Sequence, residues 1–197
     1  NPLTMINDIF KNPILNCKVS NTEAALEVYK EIRKKNESRK VSNRGGYQSP
    51  LLLREEREKI FTAEVMKDIL EEAINVYGWK KPVNFNIDGA WFNANENGDY
   101  NISHRHSKSH FSFVWYLKVP DSSSGQLILE HPDSALIMTG LFDLERDNKN
   151  YYNSELMQIT PLEGLMVMFP ASLKHRVERY EGQAARVSLA FNGSFKQ

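Results

Sequence analysis

The chain has one cysteine, Cys17, so it has no intramolecular disulfide framework and no all-thiolate zinc or iron–sulfur site. A single thiol fits a reducing cytosol, and the expected location is the cytoplasm. No apolar run approaches the roughly 20 residues that cross a bilayer. The first residues show neither a basic stretch ahead of an apolar core nor an Arg-rich amphipathic segment, so no targeting signal is expected. Net charge is absent as well: Lys plus Arg and Asp plus Glu are 25 each, which removes any overall pull toward nucleic acid or anionic membrane and leaves only local patches. Internal repeats and low-complexity tracts are missing.

What is present suits one globular domain spanning 1–197, with 41% hydrophobic and 25% charged residues. The character changes near residue 84. Before it, two segments have helical periodicity. Thr22–Asn36 sets Ala25, Val28, Tyr29 and Ile32 on one stripe, and Thr62–Tyr77 does the same with Val65, Ile69, Ala73 and Ile74. Glu55–Lys59 reads as a solvated helix approach, and the polar, glycine-containing stretch Val41–Pro50 as a loop. From 84 onward, segments near 84–94, 111–119, 126–130, 164–169 and 184–192 are rich in β-branched and aromatic residues. They are separated by turn-formers such as Asn97-Gly98, Ser124-Gly125 and Glu181-Gly182. The expected assembly is a mostly helical flank, 1–83, packed on a strand-rich core, 84–197. Segment 133–160, with Tyr151 and Tyr152, is the candidate substrate lid.

Histidine is also unevenly spread. The first 103 residues have none, and His104, His106, His110, His131 and His175 follow. In an extended strand His104 and His106 share a face, so both imidazoles can meet one ion; two solvated loop histidines are the plain alternative. On 184–192, alternation puts Val187, Leu189 and Phe191 on one face and Arg186, Ser188, Ala190 and Asn192 on the other. If the first face packs on helices, Arg186 points inward, where a guanidinium is costly unless it meets an anion. A carboxylate matches its planar fork, and Ser188 can donate to the same oxygens. An internal salt bridge to Glu130 or Glu163, or an inverted register, is the alternative. By the same alternation Phe111, Phe113, Trp115 and Leu117 are core, while Ser112, Val114 and Tyr116 face inward. His110 is expected to be exposed and His131 structural.

A histidine pair, a third histidine about seventy residues on and an inward arginine eleven residues further resemble the 2-oxoglutarate/Fe(II)-dependent oxygenases. Within them the chain is most similar to a bacterial and phage family. The matching segments are Ser42–Ser49, Ala90-Trp91-Phe92-Asn93, Asn101–His106, Val114-Trp115-Tyr116-Leu117 with Pro120 and Gly125, Phe169-Pro170 with His175, and Arg186-Val187-Ser188 through Asn192. The resemblance implies a mainly β fold with α, a double-stranded β-helix (jelly-roll, cupin-like) core flanked by N-terminal helices. It implies Fe(II), 2-oxoglutarate as cosubstrate and O2. The implied activity is hydroxylation of an amino-acid residue or small molecule with release of succinate and CO2. The partners are then a small-molecule or peptidyl substrate, with no nucleic acid and no membrane.

Carried over residue by residue, His104 and His175 take the first and distal metal positions. Arg186 takes that of the arginine for the cosubstrate's far carboxylate, with Ser188 and Tyr116 assisting and Asn93 and Asn192 lining the cavity. One position departs from the family pattern. The usual second ligand is a carboxylate, and His106 stands there. Either His106 is the third ligand, or Asp99, Glu130 or Asp133 supplies a carboxylate with His106 behind it. Two other functions stay open: a cupin-like three-histidine metal enzyme without 2-oxoglutarate, and a non-catalytic barrel that binds a carboxylate ligand.

Overall fold

The computed structural model describes residues 12–145, 147, 148, 150 and 152–196. The elements are β1 (Leu15–Lys18), α1 (Glu23–Lys35), β2 (Asn43–Arg44), β3 (Tyr47–Gln48), α2 (Arg54–Ile60), α3 (Ala63–Tyr77), β4 (Asn84–Asn95) and β5 (Tyr100–His104). There follow β6 (Phe111–Lys118), β7 (Leu127–Glu130), α4 (Ser134–Met138), a 3-10 turn at Leu141–Asp143, β8 (Leu156–Ile159), β9 (Leu165–Pro170), β10 (His175–Val177) and β11 (Arg186–Lys196).

The strands form two sheets. The larger runs β1-β9-β6-β11-β4-β3 and the smaller β2-β5-β10-β7-β8, and every pairing is antiparallel. This is the jelly roll that the sequence resemblance implied.

The helices cover the outer face of the larger sheet. On α1, Ala25, Val28 and Ile32 are buried, with Glu23 in the first turn and Arg33, Lys34 and Lys35 in the last, the arrangement the helix dipole favours. On α3, Met66, Ile69 and Ala73 are buried; Thr62 Oγ1 accepts the Val65 N–H at the start, and Gly78 at φ 64° ends the helix in the left-handed region. These stripes pack on Phe92, Phe113, Trp115, Val187, Leu189 and Phe191. Phe113 and Phe191 stack with ring centroids 4.4 Å apart. The alternation of β11 therefore settles its register, because its apolar face is taken up by the helices.

Several expected boundaries move. Val41–Pro50 is more than a loop, since β2 and β3 add an edge strand to each sheet. The charged run Glu55–Lys59 lies inside α2, where only Ile60 is buried. Segment 133–160 contains α4, the 3-10 turn and β8; Tyr152 is exposed, and Tyr151 lies outside the described residues.

Candidate metal and cosubstrate site

The inner face of the larger sheet presents ordered rows. Asn93 of β4, Ser188 of β11 and Tyr116 of β6 lie opposite one another. The next row is Trp91, Ala190 and Val114, and beyond it Asn192 pairs with Ser112. Arg186 with Asn95 forms the row at the other end. All of these line one cavity between the sheets, and His104, His106 and His175 line it from the opposite side.

Strand pairing assembles the histidines. His175 on β10 sits directly opposite His104 on β5, although the two are far apart in sequence. Strand β5 ends at His104, so His106 reaches the site from the following turn, held by its backbone N–H donating to the Ala171 carbonyl at 2.8 Å. The ring centroids are 4.3 Å apart for His104–His175, 5.2 Å for His104–His106 and 5.3 Å for His106–His175. One ligand atom from each lies within 4.8 Å of the others.

Two tautomers are fixed by the backbone. His104 Nδ1–H donates to the Ile102 carbonyl at 2.8 Å, and His175 Nδ1–H to the Leu173 carbonyl at 2.9 Å. In both rings Nε2 is then the lone-pair nitrogen, and a backbone acceptor behind a histidine is the usual orienting device of metal sites. Burial drives all three pKa values down, that of His106 to about 4 and that of His175 to about 3, with the neighbouring His104 adding to the effect in each of these two. The rings are neutral donors at neutral pH. Three neutral imidazoles meeting at one point, with no internal hydrogen-bond partner among themselves, fit a divalent transition metal.

Arg186 is 2% exposed and meets no carboxylate among the described residues. Nη1 donates to the Gly125 carbonyl, Nη2 donates to Asn95 Oδ1 at 3.1 Å, and Nε has no partner. The rings of Tyr180 and Tyr116 stand 5.0 and 5.8 Å from its Cζ. Burial raises the Tyr116 pKa to about 12, so its hydroxyl is a neutral donor. A buried guanidinium with an open N–H and no counter-ion fits a carboxylate ligand, because the alternative is an uncompensated charge. Gly125 makes the approach possible: at φ +67° a side chain would be strained, and a Cβ there would lie 2.5 Å from Nη1.

The alternatives raised by the sequence fall elsewhere. Asp99 accepts the Glu96 N–H at 2.6 Å and packs on Gly45 and Gly46, while Glu130 pairs with Arg176 at 3.4 Å. Asp133 belongs to the turn of His131, and Glu163 accepts the Val119 N–H at 3.1 Å. Among the described residues, no carboxylate joins the three histidines and none reaches Arg186. His110 is exposed, and His131 packs against Phe142 with centroids 5.2 Å apart.

The sequence assigns no site role to Asn95, Tyr180, Trp91 or the backbone of Gly125, although Trp91 and Gly125 lie in the matching segments. Asn95 carried a signal, since it shares the inner face of β4 with Asn93 two residues earlier. Trp91 stands 5.7 Å from His106, ring to ring. A separate cleft of about 620 Å³, lined by Tyr100, Ile102, Gln158, Arg176 and Arg179 among others, contains none of the three histidines or Arg186.

The family described as "Putative 2OG-Fe(II) oxygenase" matches residues 89–192, over half of the chain. No curated protein matches it in sequence. Among solved structures, the chain is similar to a Pseudomonas putida prolyl-4-hydroxylase (16% identity, TM-score 0.56, 92% of each chain covered). It is also similar to the 2OG complex of a viral collagen prolyl hydroxylase from Paramecium Bursaria Chlorella virus-1 (12% identity, TM-score 0.54, 91% of this chain and 94% of that one). A third is HygX from Streptomyces hygroscopicus with nickel and 2-oxoglutarate bound (10% identity, TM-score 0.57, 92% and 82%).

Proposed function

Because the chain belongs to the 2OG-Fe(II) oxygenase family, we propose that it is an Fe(II)- and 2-oxoglutarate-dependent hydroxylase of an amino-acid residue or small organic molecule. One observation carries the reading: a buried, carboxylate-free Arg186 shares a cavity with three converging neutral imidazoles. In this reading His104, His106 and His175 hold the metal. Arg186, Ser188 and Tyr116 take the cosubstrate's far carboxylate, and Asn93 and Asn192 line the walls. Bound Fe(II) with 2-oxoglutarate and O2 supplies the oxidation, in which the oxoacid becomes succinate and CO2 and one oxygen atom enters a substrate C–H bond.

The protein's own contribution is placement and charge. Backbone acceptors lock His104 and His175 with Nε2 inward. A three-imidazole set leaves the charge of a divalent ion unneutralised, which a dianionic cosubstrate offsets better than a neutral one. The guanidinium binds the far carboxylate where water is excluded, and Tyr116 adds a donor that stays protonated. Asn93 Oδ1, buried without a partner, is an acceptor waiting for an N–H or O–H within the cavity.

Residues 1–197 are read as one oxygenase domain, supported by the pairing of β1, β2 and β3 with strands of the later part. A cytoplasmic location is proposed on the lone thiol; no helix among the described residues is long and apolar enough to cross a membrane. The absence of a carboxylate from the histidine cluster, among the described residues, favours a second reading, a three-histidine metal enzyme that does not use 2-oxoglutarate. That reading leaves Arg186 without a role. A carboxylate-binding barrel with no metal likewise leaves the histidine tautomers unexplained. The test is optical. Protein loaded anaerobically with Fe(II) and 2-oxoglutarate should show a visible charge-transfer band that is lost in Arg186→Ala, with succinate released in air. Demonstrated iron binding with no band in the parent protein would overturn the proposal.

A further inference from the structure

The chain is electrically balanced overall, but not locally. Residues 33–44 carry Arg33, Lys34, Lys35, Arg39, Lys40 and Arg44 against Glu37 alone. All six cations are exposed. Among the described residues none is ion-paired with a carboxylate; Arg33 instead lies over the Tyr47 ring, 4.2 Å from its centroid. This run is tied to the site. The Ile102 N–H donates to the Ser42 carbonyl at 3.0 Å and Asn101 Nδ2 donates to Ser42 Oγ at 3.1 Å. Ser42 itself lines the cavity, and Ile102 is two residues before His104. The turn that carries His106 adds two more exposed cations, Arg105 and Lys108, again without a carboxylate partner among the described residues.

We propose that this edge, α1's C-terminus through β2 together with the 105–108 turn, is the docking surface for an acidic polypeptide segment that flanks the residue to be oxidised. Like charges gathered on one edge repel each other, and an anionic partner turns that repulsion into binding and steering. The substrate is then peptidyl, which narrows the oxygenase reading; docking itself stands apart from that reading, and only the oxidation after it depends on it. Strand β2 ends the smaller sheet, and its outer edge carries no other strand among the described residues. An extended peptide can add there through main-chain hydrogen bonds while its acidic side chains meet the cations. The composition of the surface favours polypeptide over single-stranded nucleic acid, which binds by stacking bases on exposed aromatic rings. Among the described residues, the only aromatic in the set of exposed large hydrophobics is Tyr152, which lies in the segment between β7 and β8 and outside this edge.

The experiment uses the full chain loaded with Fe(II) and 2-oxoglutarate. The probe is a short fluorescein-labelled oligoglutamate, read by anisotropy beside a single-stranded oligonucleotide of equal charge. The parent protein should bind oligoglutamate more tightly than the oligonucleotide, with affinity falling as salt rises. Arg39→Glu/Lys40→Glu and Arg105→Glu/Lys108→Glu should each weaken it by roughly tenfold or more, whereas the control Lys59→Glu/Lys67→Glu, on α2 and α3, should change it less than about twofold. Iron binding with no charge-transfer band in the parent protein marks a failure of the oxygenase reading and not of this surface, and a band seen in the parent should survive in all three variants. No binding of oligoglutamate, equal losses in the control, or preference for the oligonucleotide would each overturn the proposal.

Discussion

Replacing Arg186 by Met removes the guanidinium while keeping an unbranched apolar side chain in its place. Under the proposed assignment, the incoming carboxylate would meet an open Nε–H on a side chain that is 2% exposed, so the pair would form out of water. Truncating one partner of such a buried, hydrogen-bonded charge pair costs about 2–5 kcal/mol of binding, which corresponds to about 30- to 4000-fold in Kd. Thermal unfolding with a redox-inert divalent metal present provides the assay. A ligand at 100 times its Kd stabilises by about 2.7 kcal/mol, or a rise of roughly 5–10 °C in Tm for a chain of this size. Wild type should show that rise with 2-oxoglutarate. Arg186→Met should show at most about a third of that rise at the same concentration, while metal alone shifts both proteins equally. An unchanged 2-oxoglutarate shift in Arg186→Met would refute the assignment of this arginine.

Other perturbations separate metal, cosubstrate and fold. His175→Ala should weaken Co(II) binding by at least about a hundredfold in calorimetry, and His106→Asp should keep it within about tenfold, because a carboxylate restores a common ligand set. Gly125→Ala should leave metal affinity alone but weaken 2-oxoglutarate binding by about tenfold or more, since its Cβ would lie 2.5 Å from Arg186 Nη1; equal affinities in a titration would contradict that. Phe191→Ala removes a fully buried ring stacked on Phe113 and should lower unfolding free energy by about 3–5 kcal/mol in denaturant melts, with a loss under about 1 kcal/mol contradicting the helix-covered core.

The legible parts of this chain are those where one face of an element is buried. The period-2 pattern of β11 and β6 told inward from outward because the helices bury Val187, Leu189 and Phe191. Arg186 was visible for the same reason, as a cation on the wrong face. The helices α1 and α3 announced themselves by apolar stripes. Strands β5 and β10, which bring the histidines together, did not: Tyr-Asn-Ile-Ser-His and His-Arg-Val are short and polar, and pairing with neighbours makes them strands. Residues 43–48 were hidden likewise, because two-residue edges carry no periodicity. The sequence also left the second ligand open among His106, Asp99, Glu130 and Asp133. Contacts favour His106: the acids are engaged with Glu96 N–H, Arg176 and the His131 turn, while His106 faces the other two rings.

The decisive measurement is a crystal structure of the chain soaked anaerobically with a divalent metal and 2-oxoglutarate. The expected result is density for one ion bonded to His104 Nε2, His175 Nε2 and the His106 ring, with the oxoacid's far carboxylate on Arg186. A carboxylate of Asp99, Glu130 or Asp133 on the metal, or an oxoacid lying away from Arg186, would contradict it.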